Sequence, residues 1–130
     1  MIVAERYTRA TEQAHRQSVA ATIPEIAHSL QEILSRRLTA YVTNVKDEKT
    51  VARWASGAGV GIRQAHEQRL RVSYEIARLI LDAGDAEQTV RAWFIGPNVR
   101  LDDQTPADVV RAGHLKDALA AARAFVAGSY

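Results

Sequence analysis

Residues 62–83 read IRQAHEQRLRVSYEIARLILDA and contain the longest helical pattern in the chain. Their apolar side chains recur every three or four positions, at Leu70, Tyr74, Ala77 and Leu81, and Ile76 and Ile80 flank this stripe. This spacing places them along one face of an α-helix, and Gly84 follows as a residue that favours a helix C-terminus. We therefore predict that residues 62–83 form the longest helix of the chain.

Helical signals continue on both sides of this stretch. Thr22-Ile23-Pro24-Glu25 combines an N-cap threonine, a proline in the first turn and a glutamate that can complete a capping box. Thr105-Pro106-Ala107-Asp108 repeats this arrangement with an aspartate. The predicted helices span residues 23–37, 38–45, 48–56, 62–83, 86–95, 106–112 and 115–127.

Composition points to the same fold class. Hydrophobic residues make up 47% of the 130-residue chain, enough for a packed core, and alternating β-branched residues are scarce. Cysteine is absent, which excludes disulfides and thiolate zinc sites. We predict a small all-α protein, with a helix-turn-helix-like unit in residues 23–60 and a helical region in residues 61–130. Residues 1–22 are weakly patterned, and both a packing helix and a loosely ordered arm fit them.

Charge is distributed unevenly along the chain, although the net charge is only +2. Residues 31–73 contain eight Lys and Arg against four Asp and Glu, and residues 74–130 contain six against eight. A basic middle segment fits a polyanionic partner such as DNA, but arginines on a solvated face give the same pattern. No signal-peptide core and no apolar run of membrane-spanning length is present, so we expect a cytoplasmic protein with no membrane partner.

Two short helices joined by a tight turn in residues 38–56 match a helix-turn-helix. On the second helix Val51 and Trp54 point to one side, toward a core. The other side carries donors suited to phosphates and base edges, and the candidate DNA-binding residues are Lys49, Thr50, Arg53 and Ser56. An ordinary amphipathic surface helix has the same pattern, and Asp47 and Glu48 at the helix start repel phosphate. Both interpretations stay open at this point.

Catalytic and metal-binding patterns are missing from the sequence. None of the four histidines has the spacing of a metal-binding motif, and no serine lies in a nucleophile-elbow motif. Glu25 and His28 share a helix face, a spacing that is most often a pair of solvated neighbours. Residues 57–61, GAGVG, resemble a dinucleotide-binding loop only superficially, because they follow a helix and not a strand. We predict that the chain is not an enzyme and binds no metal or cofactor.

The aromatic residues near the C-terminus divide into two groups. Trp93 and Phe94, followed by Ile95, are typical of the single aromatic cluster on which a small helical domain packs. Tyr130 instead follows Gly128, beyond the last predicted helix, and has no element of its own to pack on. An aromatic residue at a chain end that packs on nothing is either disordered or an anchor that inserts into a pocket of a partner.

Taken together, these motifs resemble one family. Residues 50–57, TVARWASG, are similar to the recognition-helix segment of Xre/MbcA/ParS-type antitoxins, in which a V-x-R-W-x-x-G run is typical. Glu67-Gln68-Arg69-Leu70 follows on the long helix at the expected distance. The C-terminal part resembles the toxin-binding region of this family in Trp93-Phe94, Pro97-Asn98, Leu101, residues 105–110 (TPADVV), Gly113 and Gly128. The resemblance covers residues 38–130.

This resemblance implies an antitoxin whose partner is a RES-domain toxin that destroys NAD by glycohydrolysis or phosphorolysis. Residues 61–130 are then the toxin-binding domain, which blocks the NAD pocket of the toxin sterically and performs no chemistry itself. The toxin-binding residues that we expect are Trp93, Phe125, Gly128, Ser129 and Tyr130. The family also implies a homodimer that represses its own operon by binding operator DNA.

Two other classes of function fit the same residues. One is a stand-alone helix-turn-helix transcriptional regulator without a toxin partner, in which removal of the C-terminal tail has no effect. The other is a helical scaffold or enzyme subunit without a DNA role, which shows no operator binding and no steep salt dependence.

Overall fold

The computed structural model describes residues 3–57 and 61–128, with side chains from Tyr7 onward. Within these residues every regular element is helical: α1 (Val3–Ala20), α2 (Ile23–Ile33), α3 (Arg36–Thr43), α4 (Glu48–Ser56), α5 (Gln64–Asp82), α6 (Glu87–Ile95), α7 (Pro106–Arg111) and α8 (Leu115–Val126), with a 3₁₀ turn at Val99–Leu101. The prediction of a small all-α protein is confirmed. None of the described helices has the length and apolar character needed to cross a membrane.

The long helix α5 is the element around which the others pack. It contacts α1, α2, α3, α6, α7 and α8. Leu70, Ile76 and Ile80 on this helix are fully buried. The predicted face is buried at Leu70 and Ala77 and at the flanking Ile76 and Ile80, whereas Tyr74 and Leu81 are only half-buried. Ser73, Glu75 and Leu79, which lie outside that face, are buried as well. Neighbours pack on more than one side of α5, and a one-face pattern does not describe such a helix.

A glycine ends α5 as predicted. Gly84 has a φ of 106°, in the left-handed region that side chains disfavour. Its N–H donates to the Leu81 carbonyl at 2.9 Å, and the Asp85 N–H donates to the Ile80 carbonyl at 3.3 Å. These two bonds form a Schellman motif, which satisfies carbonyls that the helix end leaves without a partner.

The start of α2 is also as predicted. The Thr22 hydroxyl accepts from the Glu25 N–H at 3.3 Å, and the Glu25 carboxylate accepts from the Thr22 N–H at 3.0 Å. This is a complete capping box. The hydrogen bonds from Thr22 hold the pKa of the Glu25 carboxyl below its ordinary value.

The end of α2 was predicted wrongly, because the helix stops at Ile33 and not at Arg37. Ser35 adopts a φ of 96°, which interrupts the helical backbone. Its hydroxyl accepts from the Leu38 N–H at 3.1 Å and so caps the next helix, α3. Arg36 and Arg37 therefore belong to the first turn of α3.

The N-terminal segment, for which both a helix and an arm fitted the sequence, is the 18-residue helix α1. It packs against α5 and turns small residues inward: Ala10, Ala14 and Ser18 are buried at four-residue spacing. Small side chains allow two helices to approach closely but produce a weak hydrophobic pattern. For that reason the sequence pattern alone did not distinguish a helix from an arm.

Two side chains of α5, Arg71 and Glu75, hold α1 in place, and we call them the α1 clamp. Arg71 Nη1 donates to the carbonyls of Ser18 at 2.7 Å and Ala21 at 2.9 Å, at the end of α1. The buried Glu75 carboxylate accepts from the Ser18 hydroxyl at 3.3 Å and lies 3.6 Å from His15 Nδ1. Because Arg71 and Glu75 are one turn apart, a single face of α5 makes all these contacts.

The aromatic cluster lies in the C-terminal half of the molecule. Phe94 is fully buried, and the Trp93 ring meets it edge-on with 5.3 Å between ring centroids. The prediction that these two residues belong to the core is confirmed. For Ile95 it is wrong, because that side chain is 62% exposed at the last position of α6. Successive residues point about 100° apart around a helix, so Ile95 turns away from the side that buries Phe94.

Candidate functional site

Helices α3 and α4 have the lengths and the tight connection of a helix-turn-helix. Asn44 adopts a left-handed φ of 64° and begins a turn of four residues. Asp47 ends the turn, and its carboxylate caps α4 by accepting from the Lys49 N–H at 2.8 Å. Helix α4 then packs against both α2 and α3.

Two buried threonines fix the position of α3. The Thr39 hydroxyl donates to the Ser35 carbonyl at 2.7 Å and also lies 3.2 Å from the Leu30 carbonyl of α2. The Thr43 hydroxyl donates to the Thr39 carbonyl at 2.7 Å. Both side chains are fully buried, so these bonds satisfy polar groups in the interior formed by α2, α3 and α4.

His66, to which the sequence assigned no role, joins the helix-turn-helix to α5. Its Nδ1 lies 2.7 Å from the Thr43 carbonyl at the end of α3. A carbonyl only accepts, so this contact places the proton on Nδ1. The His66 ring also lies 6.4 Å from the Trp54 ring on the inner face of α4. Helices α3, α4 and α5 therefore meet at this histidine.

The two faces of α4 are arranged as the sequence indicated. Val51 and Trp54 are buried, whereas Lys49, Arg53 and Ser56 are exposed and Thr50 is half-buried. Arg53 Nη2 donates to the Thr50 hydroxyl at 3.2 Å, and the Ser56 hydroxyl donates to the Arg53 carbonyl at 3.0 Å. Lys49 and Arg53 carry the positive charges of this face, so they are the main groups that it offers to an anion.

Four more exposed cations lie at the ends of neighbouring elements, and the sequence analysis did not single them out: Arg36, Arg37, Lys46 and Arg63. Arg36 and Arg37 stand in the first turn of α3, which contains no acidic residue. Cations at that end oppose the helix dipole, so they do not stabilise the helix there. A pair of arginines directly after a helix cap is the sequence signal that identifies them as candidate phosphate contacts.

The residues expected to bind a toxin lie around the end of α8. Trp93 is buried, Phe125 is half-buried with its ring 6.4 Å away, and Gly128 is exposed. Trp93 and Phe125 face a cleft of about 240 Å³ whose rim includes Val99. The buried Trp93 indole N–H has no hydrogen-bond partner among the described residues. The structure thus brings Trp93 and Phe125 together, while Ser129 and Tyr130 lie outside the described residues.

Contacts of Tyr41 join α3 to α7. The Tyr41 hydroxyl of α3 donates to the Asp108 carboxylate. This bond, together with burial and the negative charge of Asp108, raises the pKa of Tyr41 above its ordinary value. Arg111 Nη1 donates to the Tyr41 carbonyl at 2.9 Å, and its guanidinium lies 4.5 Å from the centre of the Tyr41 ring. These bonds connect the candidate DNA-binding unit to the C-terminal region.

No known protein family, no curated protein and no solved structure matched this chain.

Proposed function

We propose that this chain is the antitoxin of a toxin–antitoxin pair, which binds operator DNA through α4 and neutralises an NAD-degrading RES-domain toxin through its C-terminal region. The observation that carries the proposal is the exposed cationic face of α4 on a helix-turn-helix whose opposite face is buried. The motif resemblance supports the toxin part of the proposal.

In this proposal DNA is contacted by one face of α4. Lys49 and Arg53 are one turn apart, so both reach the same groove. Lysine pairs with phosphates, and arginine pairs with phosphates or bidentately with a guanine edge. Arg36 and Arg37 add phosphate contacts from the start of α3. A single helix of nine residues makes few contacts, so we propose that a homodimer binds paired half-sites.

Toxin neutralisation is steric in this proposal: the C-terminal region covers the NAD pocket of the toxin. The Trp93–Phe125 cleft supports this role because Phe125, in the last turn of α8, lines it. Trp93 and the half-buried Phe125 give the cleft an aromatic, apolar lining, which suits an apolar side chain of a bound partner. The cleft is therefore the part of this region best suited to receive a toxin.

Replacing Arg53 with alanine is expected to weaken binding to the DNA upstream of this chain's own reading frame. The plot of log affinity against log salt concentration is expected to become less steep by about one unit. Each phosphate contact releases about one counterion from the DNA, and the variant loses one such contact. Fluorescence anisotropy over a series of salt concentrations measures both quantities. The matched control is Arg9→Ala at an exposed site of α1, which leaves the slope unchanged. Equal affinity of Arg53→Ala and wild type would place the DNA surface elsewhere.

Deleting Ser129 and Tyr130 is expected to leave the fold and DNA binding intact but to weaken toxin binding about thirtyfold. Burial of an aromatic ring in a partner's pocket contributes about 2 kcal/mol, which corresponds to that factor. Loss of NAD in cells that co-express the toxin reports the effect. Tyr130→Phe, which keeps the ring, is the matched control and retains neutralisation. If the truncated chain neutralises the toxin fully, the tail is not the blocking element, and the Trp93–Phe125 cleft remains as the contact.

A further inference from the structure

A groove of about 800 Å³ lies between α3 on one side and α6 and α7 on the other, and we call it the α3–α7 groove. Its apolar lining combines covered and exposed side chains. Leu34 is buried and Leu38 is half-buried. Tyr41 is 41% exposed and Ile95 is 62% exposed. Sites for small molecules have volumes of roughly 300–1,000 Å³ and apolar linings with a few polar groups, so the groove has the size and lining of such a site.

The lining of the α3–α7 groove has an excess of positive charge, with four cations against two carboxylates: Arg37, Lys46, Arg91, Arg111, Glu48 and Asp108. Arg37 and Lys46 are exposed, and Arg37 is already among the proposed DNA contacts. Arg91 of α6 and Arg111 of α7 are half-buried. These two are the cations that the groove itself covers, and we call them the groove arginines.

Backbone carbonyls hold both groove arginines in place. Arg91 Nη1 donates to the Ile33 carbonyl at 2.9 Å, and Arg111 Nη1 donates to the Tyr41 carbonyl at 2.9 Å. Among the residues that the structure describes, neither guanidinium forms an ion pair. Each guanidinium has five N–H donors, and these hydrogen bonds use one of them. The groove arginines are therefore fixed in position but keep their charge and most of their donors for another group.

The two carboxylates of the lining are engaged elsewhere. Asp108 accepts from the Tyr41 hydroxyl. Glu48 is exposed in the first turn of α4, where a negative charge stabilises the start of a helix. An anionic group that enters the groove therefore meets two guanidiniums to which no carboxylate of the lining is paired.

From this arrangement we propose that the α3–α7 groove binds a small organic anion, a molecule with an apolar body and one carboxylate. The body packs on Leu38, Tyr41 and Ile95, and its burial supplies much of the affinity. The carboxylate pairs with a groove arginine, because the planar fork of donors on arginine matches the two oxygens of a carboxylate.

This site goes beyond the proposed function. It uses neither Lys49 and Arg53 on α4 nor the Trp93–Phe125 cleft, since none of these four residues lines the groove. Its test therefore succeeds or fails independently of the antitoxin proposal.

Two fluorescent dyes with the same apolar body test the proposal on the full chain. Anilinonaphthalene sulfonate carries one anionic group, and phenylnaphthylamine carries none. We expect wild type to bind the anionic dye at least about tenfold more tightly, because only this dye accepts charge-assisted hydrogen bonds from the groove arginines. Octanoate is expected to displace the anionic dye at least about tenfold better than octanol, which lacks the carboxylate.

Removing both charges is expected to weaken binding of the anionic dye alone. Arg91→Gln with Arg111→Gln lowers its affinity at least about tenfold, whereas the neutral dye binds as it does to wild type. A damaged groove would weaken both dyes, so the neutral dye separates a lost charge from a lost fold. Arg9→Gln with Arg16→Gln removes two charges from exposed sites of α1 and is expected to change neither affinity.

A second variant changes the groove at an exposed position. In Ile95→Glu the new carboxylate stands one turn after Arg91 on α6 and pairs with it, so the anionic dye is expected to bind at least about tenfold more weakly. The matched control is Val19→Glu, because Val19 is 65% exposed on α1 and lies outside the groove. This control is expected to bind the anionic dye as wild type does.

Three outcomes overturn the inference. If wild type binds both dyes equally, the groove arginines do not act on an anion. If the double arginine variant or Ile95→Glu keeps the wild-type affinity for the anionic dye, or if Val19→Glu weakens it equally, the dye binds in another cleft. If octanoate does not displace the dye, the groove is left for an acidic segment of another protein.

Discussion

Replacing Phe94 with alanine is expected to lower the free energy of unfolding by about 4 kcal/mol. The side chain is fully buried and packs against the edge of Trp93, so its removal leaves a cavity in the core that supports α6. Domains of this size are stable by about 5–15 kcal/mol in total, and the variant therefore loses a large share of its stability. Urea unfolding followed by far-UV circular dichroism measures the change.

The adjacent residue provides the matched control. Ile95 is 62% exposed, so Ile95→Ala is expected to change the free energy of unfolding by less than about 0.5 kcal/mol. A loss below about 1 kcal/mol in Phe94→Ala, or equal losses in the two variants, would mean that α6 does not pack as described.

Replacing Arg71 with alanine is expected to cost about 2 kcal/mol and to loosen α1 selectively. Its guanidinium is bonded to the carbonyls of Ser18 and Ala21 and to the Glu67 carboxylate at 2.8 Å. The small side chains that α1 buries contribute little hydrophobic stabilisation, so these polar contacts carry much of the attachment. Hydrogen exchange resolved by segment measures the effect, which appears as faster exchange in α1 than in α5.

Two variants control this experiment. Arg16→Ala removes an exposed arginine of α1 and leaves exchange unchanged. Arg71→Lys keeps the charge but not the planar fork of donors, so it is expected to restore only part of the protection. Unchanged exchange of α1 in Arg71→Ala would show that the α1 clamp does not hold the helix.

The sequence predicted the features of this fold that depend on neighbouring residues. The capping box at Thr22, the glycine end of α5 and the two faces of α4 were all readable, because each depends on residues within about one turn of helix. The buried pair Trp93 and Phe94 was readable for a different reason, since a small helical domain has few large aromatic side chains with which to build a core.

The features that were missed depend on contacts between distant parts of the chain. Arg71 bonds to a carbonyl 53 positions away, and Tyr41 to a carboxylate 67 positions away, and no local pattern encodes either contact. The early end of α2 depends on a left-handed conformation at Ser35, a residue with no strong preference for it. In the candidate site, the donors on α4 were identified, but the arginines at the start of α3 were not, because their position followed from that unexpected helix end.

The proposed antitoxin role is tested most directly by the NAD content of cells that express the reading frame beside the one encoding this chain. We expect the neighbouring product alone to deplete NAD, and co-expression of this chain to keep the NAD content at the level of cells without the toxin. Under the same conditions the Arg53→Ala variant is expected to protect as well as wild type, because protection does not require DNA binding. NAD that stays constant when the neighbour is expressed alone, or that falls equally with and without this chain, would contradict the account.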